Sequence, residues 1–211
     1  ARITFNLESR DCQHLGYGAA GAKASTVSFW VKSSLTGTYS WSAYQHDGAQ
    51  IIGGTYAISS ANTWEKKTFT IPGHTSQNVA NDNSPGIQIN WLLMVGSAYK
   101  GTSNTSWGNY ADAKLGHGHV AAWGTNTSHD FYITGVQWEL GSNATPFEHR
   151  EYAEELRRCQ RYYYDHTDGG GDLIIGKGAF NSNSQFEATV HFKGNMRAQP
   201  SLVVADATDI F

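Results

Sequence analysis

Between Ser97 and Asp130 the chain spreads four large rings, Tyr99, Trp107, Tyr110 and Trp123, among Asn104, Asn109, Asp112, His117, His119 and Asn126. Flat indole and phenol rings match the C–H faces of sugars, while amides, carboxylates and imidazoles match their hydroxyls. The segment therefore has the chemistry of a carbohydrate-binding surface. Tyr99, Trp107, Tyr110, Asp112, His117, His119 and Trp123 are its candidate contacts. The competing reading is that these rings fold back to seal the domain. Irregular segments of this length are uncommon and are often functional.

Other chemistry is thinner. His117-Gly-His119, with His129 and Asp130 nearby, could place imidazoles around a metal, but four ligands at firm spacing are not visible. Gly16-Tyr-Gly18-Ala-Ala-Gly21 has the letters of a dinucleotide-binding turn, yet a strand pattern follows where a helix is required. It reads as a plain glycine loop. The motifs of serine hydrolases, zinc peptidases and P-loop enzymes are missing from the sequence. A glycosidase needs only two carboxylates in space, and Asp112, Asp130 and Glu148 are candidates, but eighteen acidic residues make chance pairs easy. The expectation is a binding protein, not an enzyme.

These residues must be carried by a β-rich scaffold. The chain has 211 residues, only 16% of them charged, with 23 glycines, 7 Trp, 11 Tyr and 9 Phe. That is the composition of a β-sandwich with polar loops. The net charge is −3, and no basic run marks a nucleic-acid partner. No apolar run is long enough to insert in a membrane, and no signal peptide is visible. The sequence opens at Ala1 in a strand-like run and closes on Ile210–Phe211 in mid-pattern, which reads as a piece of a longer polypeptide. Two cysteines, Cys12 and Cys159, do not make a disulfide framework.

Period-two alternation marks the strands. Val27, Phe29 and Val31 share one face, as do Tyr39, Trp41 and Ala43; Ile52, Tyr56 and Ile58; Phe69 and Ile71; Ile87, Ile89 and Trp91. Near residue 135, Tyr132, Val136, Trp138 and Leu140 alternate with Phe131, Ile133, Gln137 and Glu139. Turns are expected over Ser33–Gly37, Gln45–Ala49, Ser59–Thr63 and Gly73–Pro85. Trp91 and Trp138 belong to the core, whereas Trp30, Leu92 and Met94 face outward and need cover from a loop or from another subunit. Tyr152, Leu156, Cys159 and Tyr163 form one helical stripe, with Cys159 expected as a buried thiol. Its start is open between a capping box over Thr145–Glu148 and a first turn at Glu151. Strand patterns resume over 161–166, 172–180, 185–193 and 201–205, with turns at Thr167–Gly171 and Asn181–Ser184. The expected organisation is a sandwich over 1–148, a linking helix over 149–163, and the start of a small, incomplete β domain over 164–211.

The stretch "ITGVQWELGSNATPFEHREYAEELRRCQRYY" (Ile133–Tyr163) resembles a segment that recurs in tail-fibre proteins of tailed bacteriophages, especially marine ones. "SFWVKSSLTGTYSWS" (Ser28–Ser42) and "ANTWEKKTFTIPG" (Ala61–Gly73) are similar to other segments of that family. The resemblance runs over about residues 25–165 in matching order. Trp138 and the Arg157–Arg158 pair depart from the family's commoner residues without disturbing the apolar pattern.

The resemblance implies a jelly-roll sandwich of carbohydrate-binding-module type, in the distal part of a virion fibre, usually trimeric and exposed to the host surface. It implies a host polysaccharide or lipopolysaccharide as ligand, and other fibre or baseplate proteins as partners. In a trimer the neighbouring subunit would cover Trp30, Leu92 and Met94. Sandwiches of this type often hold a structural calcium; Glu139 with Glu8 or Asp11 could supply carboxylates, the competing reading being solvated side chains. No other cofactor is implied. Three alternatives stay open: an accessory module of a bacterial enzyme, a polysaccharide depolymerase, and a purely architectural fibre domain.

Overall fold

The structure is a computed structural model that describes residues 1–164, 178–182, 185–189 and 191–201. The chain divides into two compact units, Ala1–Glu148 and His149–Phe211.

The first unit is an all-β sandwich. Its strands are β1 (Arg2–Glu8), β2 (Ser25–Ser33), β3 (Gly37–Gln45), β4 (Gln50–Ile58), β5 (Glu65–Ile71), β6 (Pro85–Leu92), β7 (Gly108–Asn109) and β8 (Phe131–Leu140). One sheet has the order β1-β6-β3-β4-β7 and the other β5-β2-β8. All pairs are antiparallel. The chain passes repeatedly from one sheet to the other, the winding of a jelly roll.

The alternation explains the core. Val27, Phe29 and Val31 of β2 meet Tyr39, Trp41 and Ala43 of β3, Ile52, Tyr56 and Ile58 of β4, and Ile87, Ile89 and Trp91 of β6. Phe29 sits at the centre, edge-on to Tyr56 at 5.3 Å, Trp91 at 5.8 Å and Phe69 at 6.0 Å. Trp41 lies flat on Phe69, ring centroids 3.9 Å apart. Edge-on and stacked pairs of this kind add about 0.5–1.5 kcal/mol each beyond the area they bury.

One phase differs from the alternation read along residues 131–140. Phe131, Ile133 and Trp138 all pack against the core, while Tyr132 is exposed. The cause is a bulge. The β2–β8 register shifts between Ser28 and Trp30, so an extra residue is taken up around Gly135, which sits at φ 57°. A glycine in the left-handed region is what a one-residue bulge of this kind uses, and the extra residue swaps the faces of everything before it.

After β8 the chain reverses and runs back over that strand. Gly141, at φ 100°, makes the turn; its N–H donates to the Ala24 carbonyl at 2.8 Å, and the Thr26 hydroxyl donates to its carbonyl at 2.8 Å. The returning segment is then clamped by two outward side chains of β8. Glu139 accepts from the Thr145 N–H at 3.0 Å and from the Thr145 hydroxyl. Gln137 donates to Thr145 Oγ1 at 3.2 Å and Pro146 O at 3.3 Å, and accepts from the Glu148 N–H at 2.7 Å. Phe147 lies over Gly135 beside Trp30; a Cβ on Gly135 would come within 3.3 Å of the Trp30 ring and 3.9 Å of Phe147. Residues 135–147 thus build a strap. Gly135 makes room, Gln137 and Glu139 hold, Gly141 turns, and Thr145 and Phe147 dock. The capping-box reading of Thr145–Glu148 is corrected accordingly.

In the second unit, α1 (Tyr152–Gln160) begins after Glu151, and β9 (Gly178–Ser182) pairs antiparallel with β10 (Gln185–Ala188). Glu154 bonds Arg158 at 2.9 Å and also Arg157. No residue of α1 is buried: Tyr152 is 81% exposed, and Cys159, expected inside, is exposed and free. Charged i, i+3 and i+4 pairs, not burial, support this helix. Arg161–Tyr164 form a turn and coil, not a strand. The expected strand residues 165–166, 172–177, 190 and 202–205, and the turns at 167–171 and 183–184, lie outside the described residues.

Candidate functional site

The long segment between β6 and β8 does two separate jobs. Most of it is a cover laid on the outer face of the five-stranded sheet. That face is polar, and its groups bond one another across strands: Thr4 Oγ1 donates to Asn90 Oδ1 at 3.1 Å, Gln88 Nε2 to the same oxygen at 2.7 Å, and Asn90 Nδ2 to Ser42 Oγ at 3.3 Å. Such a network tolerates burial because its members are satisfied.

Two buried residues pin the cover, Asn104 through its backbone carbonyl and His119 through its ring. The Asn104 carbonyl accepts from Gly53 N–H at 2.8 Å, and its side-chain amide donates to Lys114 O at 2.7 Å. His119, 3% exposed, accepts the Ser40 N–H on Nδ1 at 3.1 Å and donates from Nε2 to Ala121 O at 2.7 Å. Burial holds its pKa below the ordinary imidazole value, so the ring is neutral.

This overturns one expectation and decides another. His119 has both ring nitrogens engaged inside the fold and cannot present them to a sugar or a metal. Leu92, expected to need cover from a loop or from another subunit, is 2% exposed within this chain alone, so the chain itself supplies the cover, whereas Trp30 and Met94 are exposed. Tyr110 and Asp112 bond one another at 2.7 Å. Burial, then the Asp112 contact, pushes Tyr110 up to about 12. His117 and Trp123 are half-buried, and Tyr99 is exposed. These residues do not converge on one cavity.

The second job is done by Trp107. It forms one wall of an open cleft of about 410 Å³. Its N–H donates to Pro72 O at 2.7 Å, and its ring packs edge-on to Tyr17 at 5.9 Å and beside His74 at 4.9 Å. Gln50 and Asn109 line one side and Thr75, Ser76 and Gln77 another. His74 folds the latter turn, its Nδ1 accepting from the Ser76 and Gln77 N–H groups at 3.3 and 3.2 Å, and burial lowers its pKa. Gln50 Nε2 donates to Asn109 Oδ1 at 2.9 Å and Gly48 O at 2.8 Å. That leaves the Gln50 carbonyl oxygen and the Asn109 amide N–H groups without a protein partner among the described residues. The cleft therefore presents a fixed indole, two oriented amides and two hydroxyls. No Asp or Glu lines it, so the paired carboxylates of a glycosidase are not built here.

Of the residues singled out from sequence, Trp107 reaches the cleft and Asn109 joins it. Gln50, Thr75 and Ser76 were not singled out. A buried glutamine at the start of β4 and a turn held by a histidine carry no periodic signal. Among the described residues no group of three or more His, Cys, Asp or Glu could hold a metal. Glu139 accepts from Thr145, Glu8 is buried and Asp11 is exposed.

No family model, curated protein or solved structure matches the chain.

Proposed function

We propose that this chain is a non-enzymatic virion domain of the tail-fibre type, binding a glycan of the host surface in the Trp107 cleft. The observation that carries the binding reading is the cleft itself: an immobilised indole wall beside the Gln50 side-chain oxygen and the Asn109 amide N–H groups, which have no protein partner among the described residues. A sugar ring stacked on the indole exposes its hydroxyls to those amides. The fibre assignment rests on the resemblance of the strap and helix residues, Ile133–Tyr163, to phage fibre segments. In a trimeric fibre a weak site suffices, because several copies multiply avidity.

One observation favours the architectural alternative. The Trp107 N–H is committed to Pro72 and its ring contacts Tyr17 and His74, which is how a purely sealing residue behaves. Titrating host lipopolysaccharide and capsular oligosaccharides into the protein by calorimetry separates the two. The proposal expects saturable binding that falls at least about tenfold in Trp107→Ala, with Trp107→Phe intermediate, as loss of an interface aromatic does. Absence of binding to any host glycan, or binding indifferent to both variants while the fold is intact, sinks it.

A further inference from the structure

Within the first unit the outer face of the three-stranded sheet is covered only by the strap, and it has an organised chemistry. Register fixes its rungs. Lys32 of β2 stands opposite Tyr132 of β8, and Trp30 opposite Thr134 of β8 and Lys66 of β5. Trp64, just before β5, extends the Lys32 rung: the Lys32 ammonium lies 5.4 Å from its ring and 4.5 Å from that of Tyr132. Trp64 and Tyr132 meet edge-on at 6.4 Å. Trp30, Trp64 and Tyr132 are 41%, 42% and 47% exposed.

The rings are also fixed in place. Trp30 lies against the bulge at Gly135, where a Cβ would come within 3.3 Å of its ring, and the Lys32 ammonium lies near both other rings. On a chain of net charge −3, this face concentrates two lysines, neither in an ion pair within the described residues. Glu139 on the same sheet accepts hydrogen bonds from Thr145, with Lys66 only a minor influence on its carboxyl.

We infer that this face is a second binding surface, distinct from the Trp107 cleft, and that its occupant is an extended polysaccharide bearing carboxylates. The alternation of rings and cations selects that chemistry. Successive rungs along a strand are about 7 Å apart, so Trp30 and the Trp64–Tyr132 pair address different sugar residues of one chain. Stacking on rings takes the apolar sugar faces, and Lys32 and Lys66 neutralise carboxylates placed along the chain. Thr134 on the Trp30 rung and Thr68 on the next rung are exposed and suit sugar hydroxyls, not the apolar rim of a protein partner. Two lysines are too few for a phosphate backbone, and the chain has no basic run. A second copy of this chain is the rival occupant.

Affinity electrophoresis of the whole 211-residue chain through gels containing polygalacturonate, or a neutral glucan at equal weight, tests this. The expected result is retardation by polygalacturonate alone, weakened when ionic strength rises to about 0.5 M. Retardation should fall at least about tenfold in Trp30→Ala and in the double variant Lys32→Gln/Lys66→Gln, as loss of anchoring contacts does, and persist in Lys32→Arg/Lys66→Arg and in Trp107→Ala. Retention in Trp107→Ala keeps this face separate from the cleft, so failure of one surface does not carry the other. Four results overturn the inference: no retardation, equal retardation by the neutral glucan, indifference to the Trp30 and lysine changes, or a concentration-dependent oligomer abolished by Trp30→Ala. The last assigns the face to a second copy.

Discussion

The two outer faces of the sandwich invert the usual expectation. The face of the five-stranded sheet is built of Ser40, Ser42, Thr4 and Asn90, and its centre is buried; Ser40, Ser42 and Asn90 are fully inaccessible. The face of the three-stranded sheet carries Trp30, Trp64 and Tyr132, and it is open. Polarity of an outward residue therefore does not report exposure. A polar face can be covered when its groups satisfy one another and the cover brings matching partners, here Asn104 and His119. An aromatic face can stay open when its rings are held by a bulge and a cation. The contrast bears on the proposals: the covered face is scaffold, whereas the two proposed binding surfaces, the aromatic face and the Trp107 cleft, keep their groups accessible.

The contrast can be broken at graded cost. Both faces share one core, so Phe29→Ala should cost about 3–5 kcal/mol, read by urea unfolding, and is the reference for every other change. Asn90→Ala on the covered face leaves buried partners unpaired and should cost about 1–3 kcal/mol. A value near zero would mean that water reaches this face and that the cover is loose. Trp30→Ala on the open face removes an exposed ring and its packing against Gly135, and should cost less than about 1 kcal/mol. A loss as large as that of Asn90→Ala would make Trp30 a core residue.

Protonation sharpens the same contrast. His119, His46 and His74 are held below the ordinary imidazole pKa chiefly by burial. In this case the unfolded chain takes up protons first. Stability is full above the unfolded value, about 6.5, and declines as pH falls from there toward the lowered folded values. Urea midpoints should drop between about pH 7 and pH 5, and less so in His119→Gln. Glu139 behaves differently. Its carboxyl is held low, first by the Thr145 hydroxyl and then by Gln137. Its contribution is present above about pH 4.3, the unfolded value, and is lost as pH falls through the lowered folded value. Because the group is exposed, the effect should be below about 1 kcal/mol, visible as faster exchange of the Thr145 amide and not as unfolding.

Much of the sandwich was legible because a half-buried strand must alternate, and β2, β3, β4 and β6 do so cleanly. Residues before Gly135 were put on the wrong face, because a bulge reverses phase without altering the letters. The cover was not legible. Whether Asn104 or His119 meets solvent or Ser40 is decided by residues far away in sequence. Nor was the exposure of Cys159, since an apolar stripe says which side of a helix is apolar and not whether anything covers it. The open face could have been found by setting the outward positions of the three strands side by side: Trp30 and Lys32 were visible, and Trp64 and Tyr132 complete their rungs. Trp107 was legible as a ring in a long loop, but its neighbours Gln50 and Thr75 were not.

The asymmetry of the two faces is the claim on which the rest depends, and hydroxyl-radical footprinting read by mass spectrometry tests it most directly. The account predicts rapid modification of Trp30, Trp64 and Tyr132, with Leu92 and His119 as protected as Trp91. Leu92 and His119 modified as readily as Met94, or Trp30 and Trp64 protected in the free protein, would contradict it.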